Sequence, residues 1–92
     1  MLVRWVRQAL RNLEQAHRYI AVDDPQAGRQ LVLRVQAAVS QLGIFPMMGR
    51  SGRVEGMREL VIPGTLFTVI YRVQGKTTQI LRILHASKRY SD

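Results

Sequence analysis

The sequence predicts an α+β fold: a short N-terminal strand, an antiparallel helix hairpin, and a three-stranded antiparallel meander, the strands forming one sheet. Three observations predict it. Apolar residues recur at a spacing of three or four through the first half of the chain. The last third holds three short runs rich in Val, Ile, Thr, Tyr and Phe, each broken by turn residues. The connections between those runs are too short for anything but hairpins.

Met1–Val6 alternates loosely, and Leu2-Val3-Arg4-Trp5 fits a brief first strand. Leu10, Leu13, His17 and Ile20, with Val6 ahead of them, then fall on one face of a helix. Arg7, Arg11, Glu14 and Arg18 take the other side. Glu14 precedes Arg18 by four residues, the favourable order for a surface ion pair. His17 lies on the apolar side and reads as a packed core-edge residue, not a ligand. Asp23-Asp24-Pro25 closes this helix and opens the next. Asp24 is a good N-cap, and Pro25 suits the first helical position, where no backbone N–H is needed. The second helix is expected to reach about Leu42, burying Ala27, Leu31, Val35, Ala38, Val39 and Leu42, with Gly43 ending it at the C′ position. So short a link makes the two helices an antiparallel hairpin that must cover the sheet.

Between Gly43 and Gly56, the stretch GIFPMMGRSGRVEG carries four glycines and Pro46, which predicts an irregular connection. Ile44, Phe45, Met47 and Met48 are expected to tuck under the helix ends. Arg50 and Arg53 flank Gly52 in an exposed loop. Such a loop either solvates itself with its charges or offers backbone N–H groups and guanidinium forks to phosphate.

Of the three C-terminal runs, Met57–Ile62 ends at Pro63-Gly64, Leu66–Val73 ends at Gly75, and Thr78–His85 leads into a basic tail. Alternation puts Phe67, Val69, Tyr71 and Val73 on one face, and Leu66, Thr68, Ile70 and Arg72 on the other. On the last strand, Ile80, Arg82 and Leu84 should share a face, opposite Leu81, Ile83 and His85. Both faces are more apolar than a one-sided sheet requires, so the face without helices is expected to bind a partner. Cations cluster here: Arg58, Arg72, Arg82, Lys88 and Arg89 lie on or just after the strands, with His85 and Tyr90 beside them.

Ninety-two residues make a single domain, 1–92, which buries only roughly 60% of its unfolded surface. Fourteen Lys+Arg oppose six Asp+Glu, a net charge of +8, and twelve of the fourteen are Arg. An anionic partner follows, either nucleic acid or an acidic protein segment. With no cysteine, disulfides and thiolate metal sites are excluded, and His17 and His85 are too far apart in sequence to suggest zinc. No cofactor is expected. No run approaches the roughly 20 apolar residues that span a bilayer, and charges interrupt the N-terminal stretch too often for a signal peptide. The expectation is a soluble cytoplasmic protein.

Five pieces of the chain carry a family resemblance: DDPQAG (Asp23–Gly28), the P-x-x-G-R-x-G run (Pro46–Gly52), GMRELVIPG (Gly56–Gly64), VIYRV (Val69–Val73) and ILRILHASKR (Ile80–Arg89). In this order and spacing the whole chain resembles the RelE/ParE toxins of bacterial type II toxin–antitoxin systems. The L-H-A-S-K-R ending is closer to ParE. The resemblance implies a cognate antitoxin, bound in a hetero-oligomer, and one of two targets. ParE-type members poison DNA gyrase without cutting anything, and RelE-type members cleave messenger RNA on the ribosome. On the gyrase reading Arg50, Arg53, Arg58, Arg82, Lys88 and Arg89 would contact the target. On the ribonuclease reading His85 or Tyr90 would move protons while Arg58, Arg82 and Arg89 stabilise charge. Glu55 and Glu59 remain further acid–base options. RelE-like enzymes carry a lysine-rich centre, whereas this chain has only Lys76 and Lys88. A third reading is a basic nucleic-acid-binding module, against which stands the lack of paired stacking aromatics among Trp5, Tyr19, Phe45, Phe67, Tyr71 and Tyr90.

Overall fold

A computed structural model describes residues 1–86; Lys88, Arg89 and Tyr90 lie outside the described residues. The elements are β1 (Leu2–Trp5), α1 (Arg7–Ala21), α2 (Pro25–Ile44), β2 (Arg50–Ser51), β3 (Arg58–Val61), β4 (Phe67–Gln74) and β5 (Thr77–His85). The strands form one sheet in the order β1-β5-β4-β3-β2. β1 runs parallel to β5, and the other neighbours are antiparallel. The expected α+β arrangement is present, with one strand more than the sequence suggested.

β1 passes into α1 without a loop. The Val6 N–H donates to the Ile80 carbonyl at 3.1 Å as the last rung of the parallel pair, and the Val6 carbonyl accepts from Ala9 and Leu10 to start the helix. Asp24 caps α2 as expected, one carboxylate oxygen accepting from the Gln26 and Ala27 N–H groups at 3.1 Å each. The helices cross closely at Gly28, where a Cβ would lie 2.8 Å from that of Ala21. Arg18 and Glu14 pair on the exposed side of α1.

The core lies between the hairpin and one sheet face. Ala9, Ala16, Leu31, Val35, Val39 and Leu42 meet Phe67, Val69, Tyr71, Ile80 and Ile83. Leu10, expected on the buried stripe, is 52% exposed. The buried side of α1 is instead turned to Ala9 and Ala16, with Leu13 and Ile20 partly buried beside them. The small alanine side chains allow a close approach to the sheet that Leu10 would prevent.

Two further expectations fail. Gly43 does not stop α2, which continues to Ile44 and ends with the Phe45 N–H donating to Gln41 at 2.7 Å. A Cβ at Gly43 would lie 3.1 Å from the Val3 Cγ2, so this glycine makes room for β1. Ile44, Phe45, Met47 and Met48 are exposed, not tucked under the helix ends.

Candidate functional site

The expected irregular connection contains β2, which pairs Arg50 with Glu59 and Ser51 with Arg58. Two residues make few backbone bonds, and the Gly52 N–H adds one to the Met57 carbonyl at 2.7 Å. A clamp from behind holds the segment to the sheet. The Tyr71 hydroxyl donates to the Pro46 carbonyl at 2.8 Å and accepts from the Gly49 N–H at 3.0 Å. Arg58 Nη2 donates to the Met47 carbonyl at 3.0 Å and the Gly49 carbonyl at 2.7 Å. A Cβ on Gly49 would sit 2.6 Å from both the Tyr71 hydroxyl and the Glu59 carbonyl, so only glycine fits.

A β-bulge decides which side chains share the open face. Ile70 pairs with Arg82, but Tyr71 pairs with Ile80, leaving Leu81 as the extra residue of β5. Strict alternation therefore fails along β5. Ile80 joins Ile83 and His85 on the helix side, opposite Phe67, Val69 and Tyr71, while Arg82 and Leu84 share the open side with Gln79. The open face then reads Arg4 (β1), Gln79, Arg82 and Leu84 (β5), Thr68, Ile70 and Arg72 (β4), Glu59 and Val61 (β3) and Arg50 (β2). Arg50, Glu59, Ile70 and Arg82 form one row across four strands.

A groove of about 390 Å³ opens on this face. Ile70 (2% exposed) and Leu84 lie at its floor, with Thr68 and Val61 alongside and Arg50 and Arg53 among its lining. Glu59 is 9% exposed, and its Oε1 accepts from Arg50 Nε at 3.1 Å and Nη2 at 3.0 Å. Arg50 itself stays 73% exposed along its side chain, so one guanidinium neutralises a buried carboxylate and still faces water. Arg72 is exposed and donates through Nε to Gln79 Oε1 at 2.6 Å. Arg82 Nε is buried and has no hydrogen-bond acceptor among the described residues.

Arg50, Arg53 and Arg82 of the expected target contacts thus share this face or its margin. Arg58 does not: it pairs with Tyr71 on the helix side, and its Nη2 is committed to the 47–49 backbone. His85 stacks edge-on against Phe67, ring centroids 5.2 Å apart at 82°, and lines the groove from the sheet's end. Lys88, Arg89 and Tyr90 fall outside the described residues, and Glu55 is exposed away from the β2–β3 pairing.

Reading the sequence alone missed the structural work of Tyr71, Gly49 and Asn12. Tyr71 carried a signal, since alternation placed it in the core and a buried phenol needs a hydrogen-bond partner. Asn12 carried none. β1 covers the β5 edge only as far as Ile80, and the next outward N–H, that of Ile83, donates to Asn12 Oδ1 at 3.2 Å. This edge and α1 enclose a second groove of about 470 Å³, lined by Gln8, Asn12, Tyr19 and Arg82 among others.

The open face gathers arginines around one neutralised carboxylate. It can capture anions through charge and guanidinium hydrogen bonds. Among the described residues, no three His, Asp or Glu side chains come together as a metal cluster, and no helix is long and apolar enough to cross a membrane.

Residues 3–90 match the sequence pattern of the family described as the ParE toxin of the type II toxin–antitoxin system parDE. A curated protein of Sinorhizobium fredii (strain NBRC 101917 / NGR234), Y4kP, which carries a provisional toxin name, is 36% identical over 88 residues, 96% of this chain and 91% of that protein. Among solved structures, a chain of the chromosomal ParDE TA system from P. aeruginosa superposes with a TM-score of 0.73 at 29% identity, covering 92% of this chain and 95% of that one. A chain of the toxin–antitoxin complex RelBE2 from Mycobacterium tuberculosis gives 0.66 at 28% identity, covering 91% and 95%. With this sequence match over almost its full length and the shared fold, the chain belongs to the ParE toxin family of type II toxin–antitoxin systems.

Proposed function

We propose that this toxin inhibits DNA gyrase by binding, in the cytoplasm, and is held inactive by a cognate antitoxin in a hetero-oligomer. The observation that carries the non-catalytic reading is the Arg50–Glu59 pair. Cleavage through the 2′-hydroxyl needs a group free to take and return a proton. Among the described residues Glu59 is the carboxylate on the open face, and it is buried and ion-paired to the Arg50 guanidinium. Arginines can stabilise charge but are poor proton carriers. What the face offers is electrostatic capture. The ParE pattern match and the likeness to a ParDE chain support the same target class. The complexes named for the similar structures support an antitoxin, for which an acidic segment would complement the +8 charge.

Ribosome-dependent cleavage of messenger RNA is the second reading, favoured by the likeness to the RelBE2 chain and by His85 at the groove. One pair of assays separates them. The purified protein is expected to block gyrase supercoiling or to accumulate cleaved DNA, while messenger RNA on translating ribosomes stays intact. Cuts in the ribosomal A site, lost on His85→Ala or Arg82→Ala, would overturn the gyrase reading.

A further inference from the structure

We infer that the open sheet face binds the phosphate backbone of duplex DNA, so that the toxin holds the DNA segment on gyrase as well as the enzyme. This rests on the gyrase reading and names the ligand of the face.

Among the described residues the face carries Arg4, Arg50, Arg72 and Arg82 against the single carboxylate Glu59, itself neutralised by Arg50. Arg50 and Arg82 lie three strands apart in one row, about 14 Å at the usual strand spacing of ~4.8 Å. Arg72 and Arg4 stand two strands apart, about 10 Å, on the neighbouring row through Gln79. A phosphate recurs about every 3.4 Å of helix axis along each strand of a duplex, so this spread of guanidinium groups spans roughly four base pairs of backbone.

The ring positions select duplex over single strand. Unpaired bases are gripped by stacking on exposed aromatic side chains. Trp5, Phe67 and Tyr71 belong to the helix-side rows, and His85, the ring that lines the groove from the sheet's end, stacks edge-on against Phe67, so among the described residues the rows of the open face carry arginines and no Trp, Tyr or Phe. The helices, packed on the opposite face, cannot enter a groove from it. The contact is therefore to backbone and independent of base sequence.

The test is fluorescence anisotropy of the full-length protein with a labelled 30-base-pair duplex across roughly 50–200 mM salt. With three to four phosphates neutralised, log K should fall with log salt at a slope of about −3. Arg4→Gln and Arg72→Gln, both at exposed positions, should each reduce that slope by about 1, whereas Arg11→Gln and Arg29→Gln on the helix layer should leave it unchanged. Thermal melting checks that each variant folds. Equal effects from the helix-layer variants, or tighter binding of a single strand or a polyglutamate peptide than of the duplex, would overturn the inference. Gyrase inhibition by a protein with no salt-dependent duplex binding would overturn it too, leaving the gyrase reading intact. Duplex binding with the expected slopes but no effect on gyrase would uphold the DNA contact and remove the target assignment instead.

Discussion

The backbone N–H of Gly49 donates to the hydroxyl of Tyr71 at 3.0 Å, across 22 residues of sequence, inside the protein. This clamp, completed by the return bond to Pro46 and by the two hydrogen bonds from Arg58, helps hold a glycine-rich loop as the outermost strand of the sheet. It places Arg50 on Glu59, and so decides that the open face carries a neutral ion pair at one end instead of a free carboxylate.

Tyr71→Phe keeps the buried ring and removes the clamp. Unfolding in urea should show a loss of about 1–3 kcal/mol, because the Gly49 N–H and Pro46 carbonyl lose a buried partner. Gly49→Ala should be at least as damaging, since its Cβ has backbone and a fixed phenol 2.6 Å away. A Tyr71→Phe protein as stable as the parent would mean that Arg58 and the β2–β3 pairing hold the loop without the phenol.

Arg50→Ala should destabilise the protein more than Glu59→Gln. The first strands a buried carboxylate, and the second leaves a mostly exposed guanidinium that water can solvate. Adding Arg50→Ala to a Glu59→Gln background should then have a much smaller effect than in the parent. A double-mutant cycle on unfolding free energies measures this coupling. Additive effects would show that the pair does not matter energetically.

Asn12→Ala should expose the Ile83 N–H at the β5 edge. We expect about 1 kcal/mol of destabilisation and faster hydrogen exchange at the Ile83 amide, with amides paired to β4 unaffected.

Asp24→Ala removes the acceptor for two N–H groups at the start of α2 and should lower stability by about 1 kcal/mol, with Asp24→Asn retaining most of it. The site is far from the open face in sequence and packing, so duplex binding should not change.

Local chemistry made much of this molecule legible before any coordinates. The Asp24-Pro25 start of α2, the strands split at Pro63-Gly64 and Gly75, and the Glu14–Arg18 pair each follow from interactions within a few residues. The helix-side row Phe67, Val69, Tyr71 follows from a period of two. Arg58 and Arg82 are both candidates in the sequence, yet the structure puts them on opposite faces of the sheet, because a residue's face depends on register and bulges, which neighbouring strands impose. Strict alternation grouped Ile80 with Arg82, and the extra residue Leu81 separates them.

The sequence by itself determined the two helices, four of the five strands, the arginine-dominated charge and the family, because these live in local spacing and in motifs kept in order. Only the tertiary structure decided which cations stand together, that Glu59 is neutralised by Arg50, and that Arg58 serves the loop behind the sheet. Those outcomes depend on contacts spanning from nine to more than seventy residues, such as Arg50 with Glu59 and Asn12 with Ile83, and a one-dimensional pattern does not encode which distant partner a side chain will find.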